Sequence, residues 1–428
     1  MTDVKRTQLA PGVCLTAVRT DKFKSAVLSI SLLTPLCRET ASVNAMVPYV
    51  LRRGTREHPD MNALSRVLDE LYGGSIEPMV RKKGETQCVG FVGSFLDDAY
   101  TLNGEAILEP AAGLMGELLL RPYTREGAFC PDYTAGEKAN LIDRIRAQIN
   151  EKRQYSVQKL IQSMCEDEAH GVDRMGDEKS AAEVTPQSLW AAYQRLLEQA
   201  RIEVYYCGSA EAERVEGALK TALAGLPVNE EREALSCDVK PRPGQGAPRL
   251  VEEAMDVTQG KLAMGFRTGG ACIWEDDFPA LMVFNALYGG TTTSKLFMNV
   301  REKLSLCYFA SSMLEKFKGL LLVSSGIEFE KYEQAKKEIL AQLEACRRGE
   351  IEDWELTGAI RSIVSALRTT LDSQGGMEDY WLGQAVAGRG EEPEELARRV
   401  EAVSKKDVVA MAKRMELDTI YFLKGRED

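Results

Sequence analysis

The feature that most limits the possible folds of this chain is an internal repeat. The tetrapeptide LYGG occurs at residues 71–74 and again at residues 287–290, so the copies lie 216 positions apart in a chain of 428. The aromatic pairs at residues 205–206 and 421–422 keep the same spacing. A chain of this length exceeds one ordinary hydrophobic core. The sequence therefore predicts two consecutive halves with similar folds.

Each half combines strand and helix patterns, which predicts an α+β fold class. Apolar runs of strand length predict strands at residues 25–33, 86–95, 202–207, 261–267, 318–327 and 419–423. Apolar residues at helical spacing predict helices, and the longest of these covers residues 133–170. A Thr-Pro pair at residues 185–186 and a capping-box pattern at residues 404–407 predict the starts of two helices.

A polar segment separates the two halves. Residues 229–249 contain three prolines and two glycines and carry no periodic apolar pattern, which is typical of an interdomain linker. We therefore expect an N-terminal domain at 1–228, a linker at 229–250 and a C-terminal domain at 251–428. An ordinary long loop remains the alternative for this segment.

Composition narrows the range of partners and compartments. The net charge of −11 argues against nucleic acid as a partner. No apolar run approaches the ~20 residues that span a bilayer, and the N-terminus has no apolar signal segment. The ten cysteines include no CxxC pair, which excludes a zinc ribbon and favours reduced thiols in the cytoplasm. We expect a cytoplasmic protein with no membrane partner.

Histidine is scarce in this chain. The only two are His58 and His170, whereas a catalytic zinc site usually takes at least two histidines that lie close in space. His58 precedes a proline in a polar loop, and His170 ends a charged helix. The prediction is that both are solvated or capping residues and that the chain holds no metal.

The stretch at residues 287–308 has the strongest pattern for binding a substrate. Gly289 and Gly290 allow a sharp turn and close approach of another backbone, and Ser294 can cap the following helix. Arg301 falls near the end of that helix and Tyr308 in the next strand, so both could hold a peptide carbonyl or an oxyanion. The alternative is structural: Arg301 would complement a helix C-terminus, and Tyr308 would pack on the core.

This stretch resembles the C-terminal signature of the insulinase-like (M16) metallopeptidases and mitochondrial processing peptidases. The matching residues are Gly289, Gly290, Ser294, Leu296, Phe297, Arg301, Glu302, Lys303, Leu306 and Tyr308. The first half resembles the same family through residues 53–55 (RGT), the LYGG turn and residues 137–138 (EK). The resemblance implies two homologous LuxS-like metallohydrolase-type halves, each an antiparallel-rich sheet covered by helices, that form a clamshell.

The chain departs from the family at the metal site. Active members carry an inverted zinc motif, HxxEH, which the resemblance places at residues 45–49. Here Ala45 and Tyr49 replace the two histidines, and Pro48 replaces the glutamate that acts as general base. Glu137 takes the place of a third ligand, or is a surface glutamate on a helix. Without imidazoles or a base, these positions cannot hold zinc or activate water.

The resemblance therefore implies a non-catalytic subunit of a heterodimeric M16 zinc peptidase. Arg301 and Tyr308 would serve the site of a partner chain that bears HxxEH and zinc, and the substrate would be a peptide or unfolded protein. The alternative is a peptide-binding or scaffold protein, possibly homodimeric, with no peptidase role. An independent enzyme is disfavoured because no nucleotide-binding loop or nucleophile motif is present.

Overall fold

A computed structural model describes residues 3–243 and 246–426 of the chain. The strands in these residues are β1 (Asp3–Ala10), β2 (Val13–Arg19), β3 (Ser25–Pro35), β4 (Ser75–Lys83), β5 (Thr86–Leu96), β6 (Thr124–Arg125), β7 (Ala128–Phe129), β8 (Arg201–Gly208), β9 (Arg249–Met255), β10 (Gly260–Arg267), β11 (Cys307–Glu315), β12 (Leu320–Ile327) and β13 (Glu416–Gly425).

The α-helices in the same residues are α1 (Ala41–Leu51), α2 (Met61–Glu70), α3 (Leu108–Leu120), α4 (Pro131–Ala147), α5 (Lys152–Met164), α6 (Glu178–Ala182), α7 (Pro186–Gln199), α8 (Ala212–Ala222), α9 (Phe278–Asn285), α10 (Tyr332–Arg347), α11 (Asp353–Thr370), α12 (Gln374–Val386), α13 (Pro393–Glu401) and α14 (Lys405–Arg414). No helix of this part of the chain is both long and apolar enough to cross a bilayer.

The chain folds into two compact units. The first unit takes the chain up to Arg146, then Val172–Ser236 and Asp372–Gly388. The second takes Ala147–Gly171, Cys237–Leu371 and the chain from Arg389 onward. Each unit therefore includes one helix from the opposite half of the sequence, namely α12 in the first and α5 in the second. The boundaries at residues 228 and 251 stay a prediction.

Five strands of each sheet follow the same order, and the first sheet adds β1 at one edge. In the first unit the order is β1-β2-β8-β3-β5-β4, and in the second it is β11-β12-β10-β13-β9. When the first sheet is read from β2 and the second is read backwards from β9, both begin with a parallel pair, β2–β8 and β9–β13. Antiparallel pairs follow in both sheets. The antiparallel-rich α+β fold with repeated halves is thus confirmed.

The cores consist of the apolar side chains that the sequence pattern selects. In the first unit, buried residues from β3, β5 and β8 pack with α1, α3 and α7. Helix α7 begins with a capping box between Thr185 and Ser188, and α14 begins with one between Ser404 and Asp407. Both predicted helix starts are therefore confirmed, and each such helix leads into the strand that the repeat predicts.

The prediction of one helix at residues 133–170 is wrong. The structure divides this segment into α4, a 3₁₀ turn at Gln148–Asn150 and α5. The polar residues Gln148, Asn150 and Glu151 lie at the junction, and Ile149 between them is 38% exposed. The break falls where the chain leaves the first compact unit and enters the second, so the two helices pack in different cores.

Candidate functional site

The stretch at residues 287–308 adopts an uncommon backbone. Helix α9 continues into a π-helical turn at Ala286–Gly290, and a second π-helix covers Leu296–Lys303. These are the π-helical segments in residues 3–243 and 246–426. π-helical turns are rare and concentrate at functional sites. The helix that begins at Phe278 is therefore α-helical only as far as Asn285.

Both glycines are required by close packing. A Cβ on Gly289 would lie 2.7 Å from the backbone nitrogen of Ser312, and one on Gly290 would lie 2.9 Å from Nδ2 of Asn285. The Ser312 hydroxyl donates to Asn285 Oδ1 at 2.7 Å, which ties the π turn to β11. Any larger residue at either glycine would force these groups apart.

Ser294 lies at the start of the second π-helix and is buried. The backbone N–H of Phe297 donates to its hydroxyl at a distance of 3.4 Å, a long capping bond. The next residue, Lys295, is also buried and pairs with Glu355 at 2.9 Å. These contacts fix the start of the helix that carries Arg301.

The end of this helix is fixed by its backbone. Ser305 is in the left-handed region with φ 47°. Its N–H donates to the Arg301 carbonyl at 3.1 Å, and the N–H of Leu306 donates to the Val300 carbonyl at 3.0 Å. Such bonds satisfy carbonyls at a helix C-terminus. The chain then turns directly into β11, which carries Tyr308.

The side chains of Arg301 and Tyr308 face solvent. Tyr308 is 77% exposed. The Arg301 side chain is 42% exposed, and its guanidinium lies 4.6 Å from the centre of the Phe297 ring. Its Nε is 3.6 Å from the Glu302 carboxylate, which is also exposed. Within the described residues, no hydrogen bond joins Arg301 to Tyr308. The exposure of Tyr308 contradicts the alternative in which it packs on the core.

A cysteine precedes Tyr308 at the start of β11. Burial raises the pKa of the Cys307 thiol above its ordinary value, although a hydrogen bond with Ser325 and the charge of Arg301 oppose this. A thiol with a raised pKa stays protonated at neutral pH and is a poor nucleophile. Cys307 is therefore not a candidate nucleophile, and Arg301 and Tyr308 stay the candidate donors of this stretch.

Residues 45–49, which the resemblance aligns with the zinc motif, lie on α1, and α1 is buried along most of its length. Ala45 is 0% exposed, and Pro48 is buried inside the helix. The ring of Tyr49 is partly exposed, and the guanidinium carbon of Arg144 lies 3.9 Å from its centre. The residue that the resemblance aligns with the second histidine thus forms a cation–π contact.

The carboxylate of Glu137 lies between two arginine side chains. Its Oε1 accepts from Arg53 Nε at 2.7 Å and from Asn140 at 3.2 Å. Its Oε2 lies 3.9 Å from Arg144 and has no hydrogen bond. The Glu137 side chain is 7% exposed, which contradicts the alternative of a surface glutamate.

Zinc does not fit these residues. Ala45 and Pro48 offer no ligand, and a guanidinium near Glu137 would repel a second cation. In residues 3–243 and 246–426, no group of three or more His, Cys, Asp or Glu is arranged to hold a metal ion. Arg144 was not identified from the sequence, although it lies seven residues after Glu137 on α4 and hence on the same helix face.

The environments of the two histidines agree only in part with the prediction that both are solvated or capping residues. His58 Nδ1 lies 2.9 Å from the Glu117 carboxylate, which also accepts from the Thr55 hydroxyl. This contact holds the loop after α1 onto α3. His170 is buried, so the prediction that it is solvated is wrong, whereas the alternative of a capping residue stays a prediction. The helical pattern that placed it at the end of one long helix caused this error.

Comparison with known proteins places this chain in a family. The profile described as "Peptidase M16 inactive domain" matches residues 183–363. The Bacillus subtilis (strain 168) protein named "Probable inactive metalloprotease YmfF" is 35% identical over 97% of this chain and 96% of its own. The chain therefore belongs to the M16 peptidase family and is of the inactive-domain type.

Solved structures share this fold over the full chain. A conserved protein from Enterococcus faecalis V583 superposes with a TM-score of 0.89 at 27% identity and covers 99% of both chains. A peptidase M16 inactive domain from Pseudomonas fluorescens gives a TM-score of 0.81 at 17% identity, with 100% of this chain and 99% of that chain covered. The resemblance found in the sequence is thus confirmed for the family and the fold.

Proposed function

We propose that this chain is the non-catalytic subunit of a heterodimeric M16 zinc peptidase. In this proposal a partner chain carries HxxEH and the zinc ion, and the present chain supplies Arg301 and Tyr308 to the partner's site. The substrate would be a peptide or an unfolded protein. The observation that carries the proposal is the exposure of both side chains on a backbone held by buried contacts.

The chemistry of the two side chains suits this role. A guanidinium presents several N–H donors in a fixed fork, and a phenol presents one O–H donor. Aimed at a peptide carbonyl, they would stabilise the negative charge that develops on its oxygen during attack. Neither side chain can activate water, so the base and the metal must come from the partner.

The cysteines support a cytoplasmic location. All ten are free thiols, and six of them are buried. Disulfides are rare in reducing compartments, where buried cysteines behave as small apolar residues. The location is therefore part of the proposal and is tested by fractionation of the source cell with an antibody against this chain.

The direct test is reconstitution. This chain and an HxxEH-bearing M16 chain from the same cell are purified separately and mixed at equal concentrations. We expect cleavage of an unfolded protein substrate by the mixture and not by either chain alone, together with a 1:1 complex in native mass spectrometry.

A different outcome would favour the scaffold alternative. If this chain forms only homodimers and the HxxEH-bearing chain is equally active without it, the proposed subunit role is wrong. Retained binding of a labelled unfolded substrate by the homodimer would then identify a peptide-binding protein.

A further inference from the structure

One face of the first sheet carries two rows of polar residues. Thr16 on β2 pairs with Tyr205 on β8, which pairs with Ser29 on β3. In the adjacent row, Glu203 pairs with Ser31. Side chains two residues apart on a strand point to the same face, so these groups lie together. Helix α12 covers them, and both elements belong to the first compact unit.

The corresponding face of the second sheet mixes apolar residues with polar groups that are paired to one another. Helix α5 packs on Ala263, Leu322 and Tyr421. A Cβ on Gly265 would lie 2.6 Å from the sulfur of Met164, so the helix and the sheet are in close contact. Tyr421, which is 216 positions after Tyr205, donates its hydroxyl to Glu253, and Tyr155 of α5 donates to the same carboxylate. The contrast with the first sheet is therefore whether the buried polar groups under the helix have partners.

A small cavity lies between α12 and the polar rows. Its volume open to the centre of a water molecule is about 10 Å³. Polar groups on its wall include Ser31, Glu203, Tyr205 and Glu378. A space of this size is close to the ~10–15 Å³ that one water molecule needs.

Among the described residues, three buried polar atoms on the wall lack an oxygen or nitrogen hydrogen-bond partner. They are Ser31 Oγ, Glu203 Oε2 and the Tyr205 hydroxyl, and each residue is at most 5% exposed. The Cys207 thiol lies beside the Tyr205 hydroxyl but is a weak partner. Burial raises the pKa of Tyr205, so its hydroxyl stays protonated and needs an acceptor. Leaving such groups without partners costs free energy.

The charges around the cavity exclude a bound ion. Glu203 Oε1 is bound by Arg6 at 2.8 Å and by Arg201 at 2.9 Å. Glu378 is bound by Arg81 at 2.5 Å and by the Ser29 hydroxyl at 3.1 Å. Both carboxylates are thus already neutralised, which leaves little attraction for a cation. An anion would be repelled by the Glu203 Oε2 atom that lines the wall.

We propose that this cavity is a specific binding site for one water molecule under α12. The water accepts a hydrogen bond from the Tyr205 hydroxyl and donates one to Glu203 Oε2. The Ser31 hydroxyl can rotate to form the third hydrogen bond with this water. A buried water with three such partners is bound as part of the structure. The water thus completes the hydrogen bonds of the sheet face that α12 covers.

Three tyrosine-to-phenylalanine variants of the full chain test this proposal by thermal unfolding. Tyr193→Phe is the control for a satisfied hydroxyl, because Tyr193 donates to the Leu119 carbonyl at 2.8 Å. Tyr332→Phe is the control for an unsatisfied one, because the Tyr332 hydroxyl is buried without a partner. We expect Tyr193→Phe to lower Tm by about 2–4 °C and Tyr332→Phe to leave Tm unchanged or raise it.

The result for Tyr205→Phe decides the proposal. A fall in Tm like that of Tyr193→Phe supports a bound water. A Tm that is unchanged or raised, as for Tyr332→Phe, contradicts it. A high-resolution crystal structure of the full chain gives the second measurement. An ordered water within hydrogen-bond distance of Tyr205 and Glu203 supports the site, whereas a dry cavity or a bound ion overturns it.

Discussion

The sequence resemblance aligns residues 45–49 and residues 287–308 with two functional stretches of the M16 family, and the side chains of the two stretches differ in exposure. The first lies in a buried helix, with Ala45 at 0% exposure and Tyr49 under the Arg144 guanidinium. The second keeps Arg301 and Tyr308 in solvent. Side chains without a chemical role are free to join the core, whereas exposure of an arginine and a tyrosine on a constrained backbone gives no packing advantage. The contrast therefore points to a binding role for the second stretch.

The largest expected effect comes from reversing the first substitution. Ala45→His places an imidazole in a fully buried site, and we expect a loss of about 2–5 kcal/mol from overpacking and unsatisfied nitrogens. Tyr308→His, at the exposed position, should change stability by less than ~0.5 kcal/mol. Urea unfolding measures the free energy of unfolding of both variants. Equal decreases in the two variants would contradict the proposed difference in burial between the two positions.

The two glutamates beside arginines form the next comparison. Glu137→Ala removes the buried partner of Arg53, and we expect a loss of about 1–3 kcal/mol. Glu302→Ala removes only an exposed neighbour of Arg301 and should cost at most ~0.5 kcal/mol. Thermal unfolding compares them. A neutral Glu137→Ala would show that this buried carboxylate has no structural role.

The backbone of the second stretch predicts a stabilising change. Ser305 has a φ of 47°, which is costly for a residue with a Cβ. Ser305→Gly should therefore raise stability by roughly 0.5–1 kcal/mol. The matched control is Ser365→Gly inside α11, which should lower stability by about 0.5 kcal/mol. If Ser305→Gly is also destabilising, the serine hydroxyl has a role that the backbone does not reveal.

The smallest expected effect concerns metal. Treating the purified chain with EDTA should leave Tm unchanged, because residues 45–49 offer zinc no imidazole or carboxylate ligand. Zinc content is measured in parallel by atomic emission. A stoichiometric zinc that survives purification, with a fall in Tm on its removal, would contradict the structural account of α1.

The two LYGG copies show what the sequence could predict and what it could not. Spacing predicted the repeat, and the equal strand order confirms it. Yet Tyr72 is exposed in a left-handed turn with φ 59°, whereas Tyr288 is fully buried in a π turn. The same four residues adopt different conformations because Gly289 packs against β11 and Gly290 packs against α9. The first contact is distant in sequence, and the periodicity of apolar residues does not predict the second.

Features that depend on tertiary contacts were beyond the sequence. Helix α12 was not predicted, since two glycines follow its first residue and its apolar pattern is weak. The contact between Tyr49 and Arg144 joins α1 to α4 across 95 positions. The exposure of Tyr308 also could not be read from its neighbours, because alternation in a short strand does not say which face is covered.

The central claim is that Arg301 acts on a substrate held by a partner's catalytic site. The most direct measurement is kcat/KM of the reconstituted complex with Arg301→Ala, beside Arg361→Ala as an exposed arginine on α11. We predict a loss of about 100-fold or more for Arg301→Ala, no change for Arg361→Ala, and unchanged 1:1 assembly for both. Equal activity of the two variants in intact complexes would contradict the account.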